Sequence, residues 1–323
     1  MPNISIITTT YQHVDFIAQT IESVLGQTYG DWEMLIGDDS PDDATWDVIQ
    51  WYVAKYPTKI KARHHSPNKG IVDNMNFLIQ QCDSQSDFIA FLEWDDRYTA
   101  DNLMEKIKIF EKYPEVQLVY SDLSFIDKDN TVILQSFFNW RRIPYYHNTT
   151  ITTDQFVWAG AWPIASRSTA MVRKAMIQHY PIRSLVPENK TYSVADYDLY
   201  FQIATQHPIY GITQPLTQYR RHAHNLSGAS GWTSGDLEIL VRYYHDQWLI
   251  DNNTYTQKMS RLSIVYAIFA IEHRDRHAWR THLVGAWKHH PSAFRVWKIG
   301  IIWLLCMPIS RSSVILQRLI KRW

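Results

Sequence analysis

The sequence predicts an α/β fold, with a mostly parallel sheet and helices on both of its faces. Through the first 120 of the 323 residues, short apolar or β-branched segments alternate with amphipathic segments of helical spacing. Polar residues follow the ends of several apolar segments, and open parallel sheets bind ligands at that edge. Apolar residues make up 46% of the chain, which is enough for a sizeable core.

Each element of this fold has a local reason. β-branched and aromatic residues predict strands at 4–9, 32–36, 60–63, 88–92 and 116–120. Apolar residues at helical spacing predict helices at 16–25, from Pro41 to 56, after the turn Asn68-Lys69-Gly70, and at 103–113. Later patterns predict a loop at 140–148, a strand and a helix within 168–179, a helix after 194, strands at 209–212 and 216–219, and helices from 237 onward.

Charge and cysteine content argue against several classes of protein. Lys plus Arg and Asp plus Glu both number 32, so the chain has no general excess of positive charge for binding nucleic acid. Cys82 and Cys306 are far apart and suggest neither a metal site nor a disulfide framework. The first residues lack a signal-peptide pattern, and no apolar run reaches the roughly 20 residues that span a bilayer. We therefore expect a cytoplasmic protein.

An acidic segment follows the fourth predicted strand. The apolar run 88–92 ends in Glu93-Trp94-Asp95-Asp96. Because three neighbouring carboxylates repel one another, a divalent cation such as Mg²⁺ or Mn²⁺ would stabilise them, and such ions commonly hold substrate phosphates as well. The alternative is a solvated strand end that caps the following helix.

Other polar loops follow the neighbouring predicted strands. These are Thr9 to Tyr11, Asp38-Asp39, and Asn68 to Gly70. Since the carboxyl ends of parallel strands share one edge, we expect the loops to converge on one crevice with the acidic segment. For Asp38-Asp39, the alternative role is capping the next helix.

Taken together and in order, these segments resemble a known family. They are Ser5 to Tyr11, Asp38 to Asp42, Asn68-Lys69-Gly70, Leu92 to Asp96, Ala195-Asp196-Tyr197-Asp198-Leu199, and Tyr219-Arg220-Arg221-His222. Over roughly residues 1 to 228 the chain resembles the family 2 glycosyltransferases, which have the GT-A fold. That resemblance implies a metal-dependent, inverting transferase that uses nucleotide-diphosphate sugars.

The resemblance also implies roles for individual residues. The nucleotide-binding set would be Thr9, Tyr11, Asp39, Asn68, Asp95 and Asp96. Asp95 and His222 would hold the metal, which is Mn²⁺ or Mg²⁺. The vicinity of donor and acceptor would include Glu93, Trp94, Arg220, Arg221 and Asp198, with the guanidinium groups pairing with phosphate oxygens.

Asp196 would be the general base, which takes the proton of an acceptor hydroxyl. The alternative is that Asp196 and Asp198 cap the start of a helix. Three positions depart from the family pattern. Glu93 replaces the first Asp of the metal motif, Met75 stands where the family often has Arg, and Ala195 replaces Glu.

The resemblance implies transfer of a sugar, from a UDP-sugar by preference, to a hydroxyl of a saccharide or lipid-linked acceptor in cell-surface polysaccharide assembly. Two alternatives remain, a nucleotidyltransferase and a non-catalytic nucleotide-sugar binder. The first would normally have a Gly-rich basic loop after the first strand, and residues 8–13 contain no Gly, Lys or Arg. The second would not need Asp95, Asp96, Asp196 and His222 together.

We expect a catalytic domain at 1–230, with a nucleotide-binding half at 1–120 and an acceptor-binding half at 121–230, and a helical extension at 231–323. No acidic residue follows Asp275, whereas basic residues and tryptophans continue to the end. Such a segment suits the headgroup region of a membrane, which would place the protein at the inner face of the plasma membrane. The alternative is packing on the catalytic domain or on a second subunit of a homo-oligomer.

Overall fold

The computed structural model of the protein describes residues 3–141, 145–152, 164–183, 195–222, 241–247, 250–260, 263 and 276–289. The chain divides into two compact units. The first comprises Met1–Thr152 and Ala161–His222, and the second comprises Thr153–Gly160 and Ala223–Trp323. In the second unit, the described residues are helical at 241–246, 252–260 and Arg276–His289.

The described residues of the first unit form a sheet of ten strands. The strands are β1 (Ile4–Thr10), β2 (Trp32–Asp38), β3 (Ile60–His64), β4 (Phe88–Phe91), β5 (Arg97–Tyr98), β6 (Leu118–Ile126), β7 (Val132–Leu134), β8 (His147–Thr149), β9 (Ala170–Arg173) and β10 (Ile209–Arg220). The described helices of this unit are α1 (Val14–Leu25), α2 (Ala44–Lys55), α3 (Ile71–Gln80), α4 (Asn102–Lys112), α5 (Phe137–Arg141), α6 (Lys174–His179) and α7 (Ala195–Gln206), with a 3-10 turn at Arg167–Thr169.

The strand order is β3-β2-β1-β4-β9-β6-β10-β5, with β7 beside β6 and β8 beside β10. Strands β3, β2, β1 and β4 run parallel, and β6 and β10 are also parallel. Strand β9 lies antiparallel between β4 and β6. The predicted α/β sheet is therefore confirmed. Because β9 runs the opposite way, the 3-10 turn before it lies at the carboxyl ends of the parallel strands.

The core lies between the parallel strands and helices α1, α2 and α4. Alternate residues of β1 and β2, such as Ile4, Ile6, Met34 and Ile36, are completely buried. Each fully buried side chain of this size contributes about 1.5–3 kcal/mol relative to exposure. The sheet is thus a rigid base for the loops at its carboxyl edge.

A close contact fixes α3 against β2. The side-chain amide of Asn74 donates to the carbonyl of Gly37 at 3.0 Å. A Cβ added to Gly37 would lie 1.8 Å from Oδ1 of Asn74, so only glycine allows this approach. Helix α3 consequently starts beside the ends of β2 and β1.

Three predictions of local structure were wrong. Residues 209–212 and 216–219 belong to one strand, β10, whose register with β6 shifts around Pro215, where the backbone has no N–H to donate. Residues 140–148 are not simply a loop, since they include the end of α5 and part of β8. Helix α2 begins at Ala44 rather than at Pro41, because Asp42 accepts the N–H of Ala44 at 3.2 Å.

Within the described ranges, no helix is both long and apolar enough to cross a membrane. A membrane-surface role is predicted for the basic and aromatic segment 276–323, of which residues 290–323 lie outside the described residues.

Candidate active site

The loops after the four parallel strands β1 to β4 meet at one edge of the sheet. The N–H of Asp39 donates to the carbonyl of Thr10 at 3.0 Å, which joins the loops after β1 and β2. The N–H of Lys69 donates to Oδ1 of Asp39 at 3.2 Å and brings in the loop after β3. The N–H of Leu92 donates to the carbonyl of Ile7 at 3.0 Å and brings in the loop after β4. The polar segments that the sequence singles out are therefore neighbours in space.

A small open pocket lies at this edge. Its lining comes from the ends of β1 and β4, from α3 and from the 3-10 turn. It is formed by Ile7, Thr9, Met75, Phe91, Leu92, Glu93 and Arg167. Two of the sequence-predicted residues, Thr9 and Glu93, line this pocket.

The two residues predicted to hold a metal are in contact. Nε2 of His222 lies 2.9 Å from Oδ2 of Asp95, and both side chains are at most 10% exposed. The imidazole packs against Phe16 and the edge of Trp94, with ring centroids at 5.0 and 5.4 Å. The aromatic rings hold the imidazole beside the carboxylate, so the two donor atoms lie close enough together to bind one ion.

The electrostatic environment disfavours charge on this pair. Burial and the negative charge of Glu93 raise the pKa of Asp95. Burial and the neighbouring Arg220 lower the pKa of His222. A divalent cation would reverse the penalty on Asp95, and a neutral imidazole is the form that ligates metals.

This donor set fits a hard or borderline divalent ion, since it offers one carboxylate oxygen and one imidazole nitrogen. Over the residues that the structure describes, no group of three or more His, Cys, Asp or Glu side chains is arranged to hold an ion. Asp95 and His222 would therefore supply two ligands, and phosphate oxygens and water would supply the others.

Asp96 and Arg220 anchor the acidic segment. Asp96 is completely buried, and its carboxylate accepts from Oγ of Ser168 at 2.6 Å and from the N–H of Arg220 at 3.1 Å. The buried guanidinium of Arg220 donates to the carbonyls of Asp95 and Asp127 at 2.8 and 3.1 Å. It also lies over the ring of Phe16, 4.6 Å from the ring centroid. These contacts argue against the expectation that Arg220 pairs with phosphate.

Arg221 and Trp94 also have identifiable surroundings. The guanidinium of Arg221 lies over the ring of Phe125 at 5.3 Å. The indole of Trp94 stacks face to face on His13, a residue that sequence reasoning missed. Trp94 is thus nearly buried between His13 and His222, so it shapes the floor of the site.

The acids after β2 have separate roles. Oδ1 of Asp38 accepts from both the N–H and the hydroxyl of Ser40, at 3.2 and 2.5 Å. Asp42 accepts the N–H of Ala44 at the start of α2, whereas Asp39 accepts a backbone N–H from the loop that carries Asn68. The N-cap position of α2 is Asp43, so neither Asp38 nor Asp39 caps that helix, and Asp39 lies at the carboxyl edge of the sheet.

The other predicted nucleotide-binding residues flank this point. Tyr11 follows β1 with 43% of its side chain exposed, which leaves a ring face accessible. The Oδ1 atom of Asn68 accepts the N–H of Gly70 at 2.6 Å, and Gly70 has φ +77°, so the side chain fixes the turn before α3.

Sequence reasoning missed Arg167. Its guanidinium forms an ion pair with the carboxylate of Glu93, and its Nη1 lies 4.0 Å from the sulfur of Met75. A guanidinium thus reaches Met75, the position at which the family often has an arginine. No sequence motif marks Arg167, because only the antiparallel direction of β9 brings it to this edge.

Asp196 lies at the start of α7, with 9% of its surface exposed. Burial raises its pKa to about 6, the charge of Arg167 opposes this increase, and the charge of Glu93 adds to it. Asp95 also interacts with Glu93 and Arg167. The charges of Glu93 and Arg167 therefore act on the pKa of both the predicted base and the predicted metal ligand Asp95.

Asp198 has a different environment from Asp196. Its fully buried carboxylate accepts two hydrogen bonds from Arg183, at 2.7 and 3.3 Å, and one from Gln202 at 3.1 Å. These contacts tie α7 to the segment that follows α6. Asp198 therefore supports the helix that presents Asp196.

We expect Arg183→Ala to destabilise the protein by about 1.5–3 kcal/mol, since it removes two charge-assisted hydrogen bonds from the buried carboxylate of Asp198. Urea denaturation at pH 7 would measure the loss. Lys108→Ala is the matched control, because it removes only an exposed ion pair with Glu105 and should cost less than about 1 kcal/mol. Equal midpoints for the two variants would contradict a structural role for the Arg183–Asp198 pair.

Comparisons with known proteins identify the family and the fold of the chain. The family model described as glycosyl transferase family 2 matches residues 5–180. The glucosyltransferase WfgD of Escherichia coli, named as using UDP-Glc and α-D-GlcNAc-diphosphoundecaprenol, is 30% identical over 130 residues, which cover 40% of this chain and 49% of that protein. The matches to EpsE and TuaG of Bacillus subtilis cover 45% and 41% of those proteins, so the chain spans less than half the length of these relatives.

Solved structures show the fold. Residues 1–349 of TarS from S. aureus, in complex with UDP-GlcNAc, match with a TM-score of 0.56 and 13% identity over 91% of this chain and 92% of that one. The mannosyltransferase PcManGT from Pyrobaculum calidifontis, in complex with GDP-Man and Mn²⁺, matches with a TM-score of 0.55 and 16% identity over 99% of this chain and 85% of that one. The chain has the GT-A fold, and the match to the family model over more than half of its length shows that it belongs to glycosyl transferase family 2.

Proposed function

We propose that the protein is an inverting glycosyltransferase, which moves a sugar from a UDP-sugar to a hydroxyl of a saccharide or lipid-linked acceptor. The observation that carries the proposal is the shared environment of Asp95 and Asp196. Glu93 and Arg167 line one pocket at the carboxyl edge of the sheet, and their charges act on the pKa of both carboxylates. A donor phosphate held at Asp95 would thus lie near a base at Asp196.

Asp196 is suited to the role of general base. Its pKa, raised to about 6, makes it a stronger base than an exposed aspartate while leaving it ionised at neutral pH. It would accept the proton of the acceptor hydroxyl as that oxygen attacks the anomeric carbon. A single displacement of this kind inverts the anomeric configuration.

The donor would lie along the loops after β1, β2 and β3. Tyr11 would pack on the base, Asp39 would accept a hydrogen bond from it, and the backbone of Thr9 and the turn at Asn68 would complete the nucleoside site. The proposal of a UDP donor is supported by the TarS complex with UDP-GlcNAc. Within the proposed active site, Asp96 and Arg220 would fix the acidic segment rather than touch the donor.

Asp95 and His222 would hold Mn²⁺ or Mg²⁺, a choice that the Mn²⁺ complex of PcManGT supports. When bound, such an ion neutralises charge that develops on the departing diphosphate. Both side chains are at most 10% exposed, so they would shield the ion from bulk water.

The acceptor class follows from the relatives. WfgD is named for a diphosphoundecaprenol-linked acceptor, so we propose a saccharide or lipid-linked acceptor in cell-surface polysaccharide assembly. The catalytic domain would comprise residues 1–230, and residues 231–323 would bring the enzyme to the inner face of the plasma membrane or join a second subunit.

Donor turnover tests the proposal. The full chain is incubated with UDP-glucose, UDP-galactose, UDP-GlcNAc or GDP-mannose, with Mn²⁺ or with EDTA, and released nucleoside diphosphate is measured. We expect at least one UDP-sugar to be hydrolysed with Mn²⁺, and expect EDTA to abolish the reaction. A bound donor at a hundred times its Kd should also stabilise the fold by about 2.7 kcal/mol. The absence of both turnover and stabilisation with every one of these donors would contradict the proposal. Release of pyrophosphate from UTP in the presence of a sugar phosphate would favour a nucleotidyltransferase.

A further inference from the structure

A series of hydrogen bonds runs through the interior from helix α4 to the acidic segment. Nζ of Lys106 donates to Oδ1 of Asn102 at 2.9 Å, and the amide nitrogen of Asn102 donates to the hydroxyl of Thr217, on β10, at 3.2 Å. That hydroxyl donates to the carbonyl of Ser168 at 3.0 Å, and the hydroxyl of Ser168 donates to the carboxylate of Asp96 at 2.6 Å. These five residues form the buried network, and each of them is completely buried. The network has one direction, since every donor lies on the side of Lys106.

Ser168 is the point at which the buried network meets the acidic segment. Its hydroxyl also accepts the N–H of Glu93 at 3.0 Å, so one oxygen atom bonds both ends of Glu93-Trp94-Asp95-Asp96. A hydroxyl has a single O–H to donate, and here that donor goes to the carboxylate of Asp96. Asp95 lies between the two attached residues, so the position of its carboxylate depends on Ser168.

The buried network also reaches the segment that carries His222. Thr217 is part of β10, and the carboxylate of Asp96 accepts the N–H of Arg220, the last residue of the same strand, at 3.1 Å. His222 follows two residues later. The two side chains proposed to hold the ion therefore lie on segments that Asp96 and Ser168 join.

Lys106 stands at the other end of the network. Within the part of the chain that the structure describes, its ammonium group bonds Asn102, lies 5.3 Å from the ring centroid of Tyr98, and pairs with no carboxylate. Burial lowers the pKa of Lys106 to about 7, because the charge is removed from water without a counter-ion. An apolar side chain would avoid this cost, so stability does not explain the amine. What the amine does is fix the amide of Asn102, whose NH₂ group then points at Thr217.

We infer that Ser168 is a positioning residue for the metal ligands Asp95 and His222, and that the rest of the buried network, back to Lys106, holds Ser168 in place. The inference rests on the proposed function, because it needs an ion at these two ligands. Residues that orient metal ligands without touching the ion typically change its affinity by roughly 10- to 100-fold when they are replaced. Hydrogen bonds that run in one direction polarise one another, so a change at Lys106 should reach the acidic segment.

Mn²⁺ binding by the full chain tests the inference without turnover. Free Mn²⁺ is measured by electron paramagnetic resonance in the presence of UDP, which gives the Kd for the ion. We expect Ser168→Ala to raise this Kd about tenfold or more. Thr217→Val removes a hydroxyl at nearly constant shape and should raise the Kd by a smaller factor, whereas Thr217→Ser keeps the hydroxyl and should stay close to the wild type. If Ser168→Ala does not fold, the contrast between the two Thr217 variants decides.

Three further comparisons separate positioning from stability. Thr205→Val is the matched control, because it removes a threonine hydroxyl that bonds the carbonyl of Phe201 within α7, and it should leave the Kd unchanged. Lys106→Met should weaken Mn²⁺ binding on its own but add little to Ser168→Ala, since both act through one network. A purely structural role would lower the urea midpoints of Ser168→Ala and Thr217→Val and leave the Kd unchanged. That result, equal losses in both Thr217 variants, or an additive effect of Lys106→Met overturns the inference.

Turnover separates this inference from the proposed function. Because the variants weaken ion binding rather than the chemical step, excess Mn²⁺ should restore kcat for UDP-sugar hydrolysis in Ser168→Ala. A wild type that binds Mn²⁺ but hydrolyses no UDP-sugar would reject the proposed function, while the Mn²⁺ titrations still decide the inference. Hydrolysis by the wild type, together with an unchanged Kd in the variants, would reject the inference alone. A wild type that binds no Mn²⁺ in the presence of UDP would reject both.

Discussion

Asp196→Asn is expected to reduce the turnover of a UDP-sugar by about a thousandfold, because general-base catalysis contributes 10²–10⁴ in rate. Asparagine has nearly the same shape, but its amide cannot accept a proton from the attacking hydroxyl. The loss should appear in kcat, with the KM for the donor unchanged, since the proposed donor contacts lie on other loops. Steady-state release of UDP measures both constants.

Unfolding should not explain the loss. The pKa of Asp196 is raised from 3.8 to about 6 on folding, so the folded state loses stability as the pH rises through that interval. Asparagine avoids this loss, and we expect Asp196→Asn to be at least as stable as the wild type at pH 7. Asp47→Asn, on the exposed face of α2, is the matched control and should change neither rate nor stability. A rate for Asp196→Asn close to that of wild type would mean that Asp196 is not the base.

The sheet and the crevice were predictable because their signals are local. Strands β1, β2 and β4 are short segments rich in apolar or β-branched residues, and the polar residues after them must lie at one edge if the strands are parallel. Asp39 and Thr9 therefore lie where the sequence predicts. Their contacts depend on strand direction, which the alternation of strands and helices sets.

The charged residues at the site were harder to predict, because burial decides what each can do. Arg220 and His222 are two positions apart, yet the guanidinium of Arg220 donates to backbone carbonyls whereas the imidazole of His222 contacts Asp95. Arg167 carries no motif and comes to the site only through the reversed direction of β9. The sequence pattern alone does not show that a guanidinium is buried. It also does not show the direction of β9, which joins the sheet late in the chain.

The contact between Asp95 and His222 leads to the second large prediction. Asp95→Asn should lower Mn²⁺-supported turnover of a UDP-sugar by about a thousandfold. The ion contributes several kcal/mol to the stabilisation of developing charge, and each 1.36 kcal/mol corresponds to a factor of ten in rate. His222→Gln should cause a smaller loss, because water can replace a neutral ligand more readily than a charged one. Mn²⁺ titrations in the presence of UDP should show weaker binding in both variants.

The double variant Asp95→Asn/His222→Gln distinguishes a shared ion from two separate effects. If the two side chains hold one ion, most of the loss is already present in Asp95→Asn, so the effects should be strongly non-additive. Asp47→Asn and His179→Gln are the matched controls, since both side chains are exposed, on α2 and at the end of α6 respectively. Additive losses, or an Asp95→Asn variant that keeps its dependence on Mn²⁺, would show that the ion binds elsewhere. Non-additivity together with weakened Mn²⁺ binding would place the ion between the carboxylate of Asp95, after β4, and the imidazole of His222, after β10. The structure already holds these two side chains 2.9 Å apart.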